Sequence, residues 1–319
     1  MKILITGVAG FIGFSLAKNL LGRKNNEIYG LDNFDSYYSV KLKKERIKFL
    51  KKFKNFKFTN IDIRKKKQLN NFFLDKKFDY IFHFAAQAGV RYSVINPNKY
   101  NQVNKFGFRN ILDILRNKKF KTFFYASSSS IYGDTKRFPV KESFNYMPKN
   151  VYAKTKIDNE LDAKKFKKKY NKNIVGLRLF TVYGEWGRPD MLIFKLLEAY
   201  KKNKNFILNN SGDHYRDFTY INDVVSILKK LLKVRKFEND VYNICSSKPI
   251  YIKKIILNFE NNFNFKKIIY AKKNKLDVYK TYGSNKLIKK ITKFKKFTSF
   301  NFGFKKSINW YLNKGYKYF

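Results

Sequence analysis

Tyr152 and Lys156 stand four residues apart in a stretch that reads as helix, Val151-Tyr152-Ala153-Lys154-Thr155-Lys156. At that spacing both side chains leave one helix face, so a phenol lies beside an ammonium. A free phenol titrates near ~10. A cation about 5 Å away, at an effective dielectric near 20, is worth roughly 3 kcal/mol, or about two pKa units, which moves the phenol toward use as a general base. A lone Tyr-x-x-x-Lys pair arises by accident on the surface helices of so lysine-rich a chain. Here it has companions. A serine run, Ser127 to Ser130, closes an apolar strand upstream, and a glycine turn opens the chain. Ser128, Tyr152 and Lys156 are therefore the candidate catalytic set of a redox site on a dinucleotide-binding fold.

The elements that must position this set alternate along the chain. An apolar run over 2–5 leads into Thr6-Gly7-Val8-Ala9-Gly10-Phe11-Ile12-Gly13 and then a periodic segment ending near Gly22, which reads as strand, turn, helix. Gly7 and Gly10 let main-chain N–H groups approach a pyrophosphate at the helix N-terminus, and Gly13 lets the helix pack closely on the strand. The candidate cofactor contacts here are Gly7, Gly10, Phe11, Ile12 and Gly13. The next strand, 27–31, ends in Asp32, roughly 20 residues beyond the glycines, where a carboxylate accepts both hydroxyls of an adenosine ribose and repels a 2′-phosphate. That favours NAD over NADP. Further strands are expected near 56–60, 78–84, 122–126 and 174–179, with helices near 41–52, 66–74, 98–117 and 151–170. Asn150, just after Pro148, is the expected N-cap of the last of these helices.

Asp62 and Ile63, just after the third strand, fall on the adenine side. Ala85, Ala86 and Gln87 follow the fourth strand, at the carboxyl edge where doubly wound sheets bind ligands. His83, inside an apolar strand, reads as a satisfied core histidine. Lys156 would also reach the nicotinamide ribose. The predicted fold is α/β: a doubly wound, Rossmann-type parallel sheet over 1–178, rejoined by a helix and strand within 217–244, with a smaller α+β substrate-binding cap over 179–319. A helix is expected in the cap near 190–202.

The formal net charge of +47 comes from 70 Lys and Arg against 23 Asp and Glu. The lysines are spread along the whole length and accompany Asn, Ile, Phe and Tyr, all with A/T-rich codons, so a solvated surface is expected rather than nucleic-acid binding. Where Lys is the default cation, a retained Arg points to a planar, bidentate fork and so to an anion. Arg91, Arg178, Arg188 and Arg216 have motif context of that kind; Arg23 and Arg235 do not. One cysteine, Cys245, and two distant histidines, His83 and His214, exclude a disulfide framework and give no zinc-site pattern, so no metal is expected. No apolar run spans a bilayer, and strand and turn begin at the first residues, so a cytoplasmic protein without membrane attachment is expected.

Taken together, Thr6-Gly-x-x-Gly-Phe-Ile-Gly13, Asp32, the serine run and Tyr152-x-x-x-Lys156 resemble the extended short-chain dehydrogenase/reductase family of nucleotide-sugar epimerases and dehydratases. Ala86 to Ser93, Ser127 to Gly133, Phe180-Thr181-Val182-Tyr183-Gly184 with Trp186-Gly187-Arg188-Pro189-Asp190-Met191, and Arg216-Asp217-Phe218-Thr219-Tyr220-Ile221 look most like UDP-glucuronate 4-epimerases within it. Sugar 4,6-dehydratases carry Asp-Glu where this chain has Ser129-Ser130, and UDP-glucose epimerases usually carry Asn where it has Thr181. The family's Pro-Gly-Asp-Val element appears here as Lys275-Leu276-Asp277-Val278.

The resemblance implies a UDP-sugar substrate, a resident NAD and hydride removal from C4 with return to the opposite face. It implies substrate contacts at Arg91, Ser129, Ser130, Thr181, Arg188, Arg216 and Asp277. Ser129, Ser130 and Thr181 would hold the carboxylate, and Arg216 would pair with the diphosphate. It also implies a homodimer packed through the helices near 98–117 and 151–170. A UDP-glucose-type 4-epimerase and a UDP-glucuronate decarboxylase are the alternatives within the family. A basic NAD-fold protein that binds nucleic acid or an anionic surface is the non-enzymatic one, and it has no need of Ser128, Tyr152 and Lys156 together.

Overall fold

The computed structural model describes residues 1–261, 263, 267–272 and 277–319. Seven parallel strands form the central sheet: β1 (Lys2–Thr6), β2 (Glu27–Asp32), β3 (Phe56–Asn60), β4 (Tyr80–His83), β5 (Thr122–Ser128), β6 (Ile174–Leu179) and β10 (Val241–Ile244). Their order is β10-β6-β5-β4-β1-β2-β3, so the direction of winding reverses between β1 and β4. A crevice therefore opens there, beyond the carboxyl ends of the strands. The sheet is covered on both faces, which is why its strands are apolar runs rather than alternating ones. Along β1, Ile3 and Ile5 pack into one core with helices α1 (Phe11–Leu21), α2 (Val40–Leu50) and α9 (Ile221–Leu231). Leu4 faces the other core, with α3 (Lys66–Phe73) and α6 (Phe108–Leu115). Burying such side chains contributes about 1.5–3 kcal/mol each.

The strands and helices fall where the periodicity places them, with one departure. The segment expected as a single helix near 98–117 follows a short turn, α4 (Tyr92–Ile95). It is then built as α5 (Pro97–Tyr100), a π-helical stretch over Asn101–Gly107, and α6. The wider turn seats Asn104, whose Oδ1 accepts from the Gln87 N–H at 2.7 Å and whose Nδ2 donates to Gln87 O and Thr155 Oγ1, both at 3.1 Å. Such a bulge in a helix is set by tertiary partners and is frequent at functional sites. Helix α7 (Val151–Tyr170) begins at the expected cap: the Asn150 side chain accepts from the Ala153 N–H at 2.9 Å.

After β6 the chain leaves the sheet. β7 (Thr181–Tyr183), β9 (Tyr215–Tyr220) and β11 (Pro249–Tyr251) form a second, three-stranded sheet, and β8 (Phe206–Leu208) pairs with β12 (Ile268–Tyr270). Helices α8 (Leu192–Lys201), α10 (Ile252–Glu260), α11 (Lys286–Thr292) and α12 (Phe300–Asn313) accompany them. Within Asp217–Asn243, α9 and β10 rejoin the main sheet, while the first residues belong to β9. Among the described residues no helix is long and apolar enough to cross a membrane.

Candidate active site

The turn after β1 is glycine for steric reasons. Gly7 has a positive φ of 71°, and a Cβ there would lie 2.6 Å from the Ala85 main-chain nitrogen. A Cβ on Gly13 would lie 2.3 Å from the Gly7 carbonyl oxygen. The turn thus lies directly against the end of β4, and α1 starts beneath it. Gly10 gives that helix no side-chain cap, and its first turn carries no acidic residue. An uncapped helix N-terminus offers free N–H groups and a positive dipole end to an anion.

Asp32, at the end of β2, accepts from the Ala9 N–H at 3.0 Å and the Phe34 N–H at 2.9 Å, one on each carboxylate oxygen. Each oxygen keeps a further lone pair for a ligand. Burial raises its pKa, against hydrogen bonds and the charges of Lys43 and Arg46.

All the candidate cofactor residues line one cleft: Gly7, Gly10, Phe11, Ile12, Gly13, Asp32, Asp62, Ile63, Ala85, Ala86, Gln87 and Lys156. Ser128, Tyr152 and Arg188 line the same cleft. Asp62 is partly engaged, since Arg64 Nε reaches both of its oxygens at 3.0 Å and Asn33 Nδ2 donates to it at 3.0 Å. His83 is a buried core residue bonded through Nδ1 to Thr6 Oγ1 at 2.8 Å, with its pKa pushed down to about 3 by burial and by Lys156.

The serine run and α7 supply the other wall. Lys156 is 3% exposed and donates to the Ala126 carbonyl at 2.8 Å. Its nitrogen stands 5.8 Å from the centre of the Tyr152 ring. The Ser128 side chain stands close enough to the Tyr152 hydroxyl to favour its ionised form. Ser128 Oγ in turn accepts from Ser130 Oγ at 2.9 Å and the Ser130 N–H at 3.2 Å.

The electrostatics correct one expectation. Within the polypeptide, burial raises the Tyr152 pKa above its ordinary value, and the opposing influences are the Ser128 side chain and the Arg188 charge, not Lys156. Lys156 itself is pushed down to about 8, because burial of the ammonium outweighs the attraction of Glu160. Desolvation of two adjacent groups here exceeds their mutual benefit.

Of the four arginines with motif context, two make bidentate forks, and both forks hold the protein's own carboxylates. Arg188 Nε and Nη2 bond Asp190 at 2.9 and 2.5 Å. Arg178 Nε and Nη2 bond Glu160 at 2.9 and 2.7 Å, with both side chains almost wholly buried. Removing one partner of such a pair costs about 3–5 kcal/mol. Arg91 bonds Asp277 through one nitrogen and Asn209 at 2.5 Å through the other. Arg216 makes no ion pair among the described residues. It donates to the Tyr215 carbonyl at 2.8 Å, and burial pushes it down to about 10. Its neighbour Asp217 instead accepts from Ser246, Ser247 and Gly283.

Thr181 and Arg216 line a second, adjoining cavity that also holds His214, Phe218 and Asn209. Ser129 and Ser130 form the short 3-10 turn after β5, outside both linings. Of Lys275-Leu276-Asp277-Val278, the first two lie outside the described residues.

Sequence reasoning passed over Asn33, Asp35, Tyr38 and Lys43, which also line the cleft. Lys43 donates to the Asp35 carbonyl and packs 4.2 Å from the centre of the Tyr38 ring. In a chain this rich in lysine, its type carried no signal.

The description of the NAD dependent epimerase/dehydratase family matches residues 3–245. The chain belongs to that family. Among similar curated proteins, Protein CapI of Staphylococcus aureus is 37% identical over 335 residues, covering 98% of this chain and 98% of its own. The UDP-glucuronate 4-epimerase of Thermodesulfobacterium geofontis is 36% identical over 310 residues, covering 96% of this chain and 95% of its own. The crystal structure of UDP-glucuronic acid 4-epimerase from Bacillus cereus, in complex with UDP-glucuronic acid and NAD, superposes with a TM-score of 0.89 at 27% identity, covering 98% of this chain and 99% of that one. As a member of the epimerase/dehydratase family the chain uses NAD, and the cleft fits it: a turn without side chains, an uncapped helix end and a ribose-competent carboxylate line one crevice.

Proposed function

We propose that the chain is a UDP-glucuronate 4-epimerase, converting UDP-glucuronate to UDP-galacturonate through a transient 4-keto sugar. The observation that carries this reading is one cleft lined by Ser128, Tyr152 and Lys156 together with the glycine turn and Asp32. The named relatives support the choice of sugar.

NAD, when bound, supplies the hydride acceptor and donor at C4. Gly7, Gly10, Phe11, Ile12 and Gly13 receive its pyrophosphate, Asp32 the adenosine ribose, Asp62 and Ile63 the adenine side, and Ala85, Ala86 and Gln87 close the crevice. Tyr152 takes the proton from the C4 hydroxyl and returns it to the same oxygen once the keto sugar has turned and the hydride has come back to the opposite face of C4. Ser128 orients that hydroxyl and supports the developing alkoxide. Lys156 holds a positive charge beneath the pair and reaches the nicotinamide ribose.

Arg188 serves Tyr152 through its field, since Asp190 already occupies its fork. Ser129, Ser130 and Thr181 hold the sugar carboxylate out of line with the C4 ketone, which suppresses loss of CO₂. Ser130 bonds Ser128 directly, so carboxylate binding and C4 orientation are coupled in this reading. Arg91, Arg216 and Asp277 receive the nucleotide diphosphate and uridine ribose. Residues 1–178 with α9 and β10 form the cofactor half, and the rest of 179–319 the cap. A homodimer would cover Phe106 and Leu161, now 46% and 44% exposed on the two helical segments named above.

Incubation with UDP-glucuronate and no added NAD, followed by product identification, tests the reading. UDP-galacturonate is expected. A UDP-pentose would make the chain a decarboxylase, and turnover of UDP-glucose alone would move the substrate.

A further inference from the structure

Tyr152, Lys156 and Glu160 fall at successive i, i+4 positions of α7, so their side chains follow one another along a single face. The third of them has no place in the mechanism above. Glu160 is 4% exposed and fully engaged. One oxygen accepts from Ser127 Oγ at 2.5 Å and Arg178 Nε at 2.9 Å; the other accepts from Arg178 Nη2 at 2.7 Å and the Tyr146 hydroxyl at 2.8 Å. Ser127 lies between Ala126, whose carbonyl receives Lys156, and Ser128, which lines the cleft with Tyr152 and favours its ionised form. Glu160 thus grips β5 at the residue flanked by the two anchor points of the catalytic pair.

We propose that Glu160 is a positioning residue for Ser128, Tyr152 and Lys156: it fixes the end of β5 through Ser127, and its buried negative charge keeps Lys156 an ammonium. The inference rests on the reading of Tyr152 and Lys156 given above.

The surroundings leave few other groups for the second task. On α7 itself Lys156 faces Tyr152 and Glu160; from β4 it faces His83, which is neutral near pH 7. Glu160 faces Arg178 from β6, Tyr125 from β5, Tyr146 from the preceding loop, and, through Arg178, Tyr132 and Glu142. Of these, Glu160 is the carboxylate that raises the Lys156 pKa against burial. Arg178 neutralises its excess charge and stays protonated.

Glu160→Gln keeps the shape and an oxygen for Ser127 but removes the charge. Because it leaves Arg178 buried without a counter-charge, the double variant Glu160→Gln with Arg178→Met is made alongside it as the version expected to fold.

Two measurements follow. In the pH profile of kcat, loss of the lysine charge defines the alkaline limb, and this limb moves down by about one pH unit or more in Glu160→Gln and by less in the double variant, which loses the Arg178 charge as well, with KM for the UDP-sugar little changed. In unfolding experiments, a lysine whose folded pKa lies below the ordinary ~10.4 costs stability while charged. Stability therefore rises with pH once the folded state releases its proton, near 8 in the native chain. In the variants that rise starts at lower pH. An alkaline limb and an onset both unmoved in Glu160→Gln, or in the double variant where only that one folds, would overturn the proposal. A native chain that turns over no UDP-sugar, with variants that still show the shifted onset, would sink the functional reading and leave the electrostatic role of Glu160 standing.

Discussion

The two sides of the site are built in different ways. The cofactor side is main chain and small residues from short, continuous segments: Gly7 to Gly13 lies against Ala85 so closely that added side-chain carbons would meet backbone atoms. The side proposed for the nucleotide sugar is made of long side chains from distant segments. Arg91 pairs with Asp277, 186 residues further on, and both stand near Arg216 and His214. The first construction tolerates no added atom. The second depends on charges that solvent partly screens, so its residues can be exchanged at smaller cost to the fold.

That contrast can be broken by substitution. Tyr152→Phe removes one oxygen and should lower kcat by about 10²- to 10⁴-fold, with the NAD content of the purified protein unchanged. Loss of cofactor instead would mean that Tyr152 holds the turn and not the chemistry. Gly13→Ala places a carbon 2.3 Å from the Gly7 carbonyl. It should cost about 1–3 kcal/mol of stability and reduce NAD per chain, both measurable by thermal unfolding and by absorbance after acid release.

Across the cleft, Arg91→Ala breaks a pair whose arginine side chain is 43% exposed. The fold should lose under about 1 kcal/mol, while KM for the UDP-sugar rises about tenfold, as expected for one hydrogen bond to a charged group. NAD content should not move. Thr181→Ala is the smallest change: turnover stays near normal and the share of decarboxylated product rises, read by chromatography of the nucleotide sugars.

The same contrast explains what the sequence could disclose. The turn, Asp32, Ala85 and Ala86 sit at the ends of strands that apolar runs mark clearly, so their convergence follows from the winding of the sheet. The Asn150 cap is a local bond and was readable for that reason. The π-helical turn over Asn101–Gly107 was not, because Asn104 finds its partners at Gln87 and Thr155, far away in sequence.

The arginines are instructive. Retention in a lysine-rich chain coincides with a planar fork at Arg178 and Arg188, where the anion is Glu160 or Asp190, which spacing alone does not reveal; Arg91 and Arg216 make no such fork. Tyr152 shows the remaining gap. Helical spacing puts a cation near the phenol, yet whether attraction or desolvation wins depends on how much water the fold removes, and here desolvation wins.

The central claim is that a hydride leaves C4 and returns to the same carbon inside the cleft lined by Tyr152. It is tested most directly with UDP-glucuronate carrying deuterium at C4, turned over in ordinary water without added NAD. The account predicts that the UDP-galacturonate formed keeps its deuterium at C4. Product carrying solvent hydrogen there would contradict it.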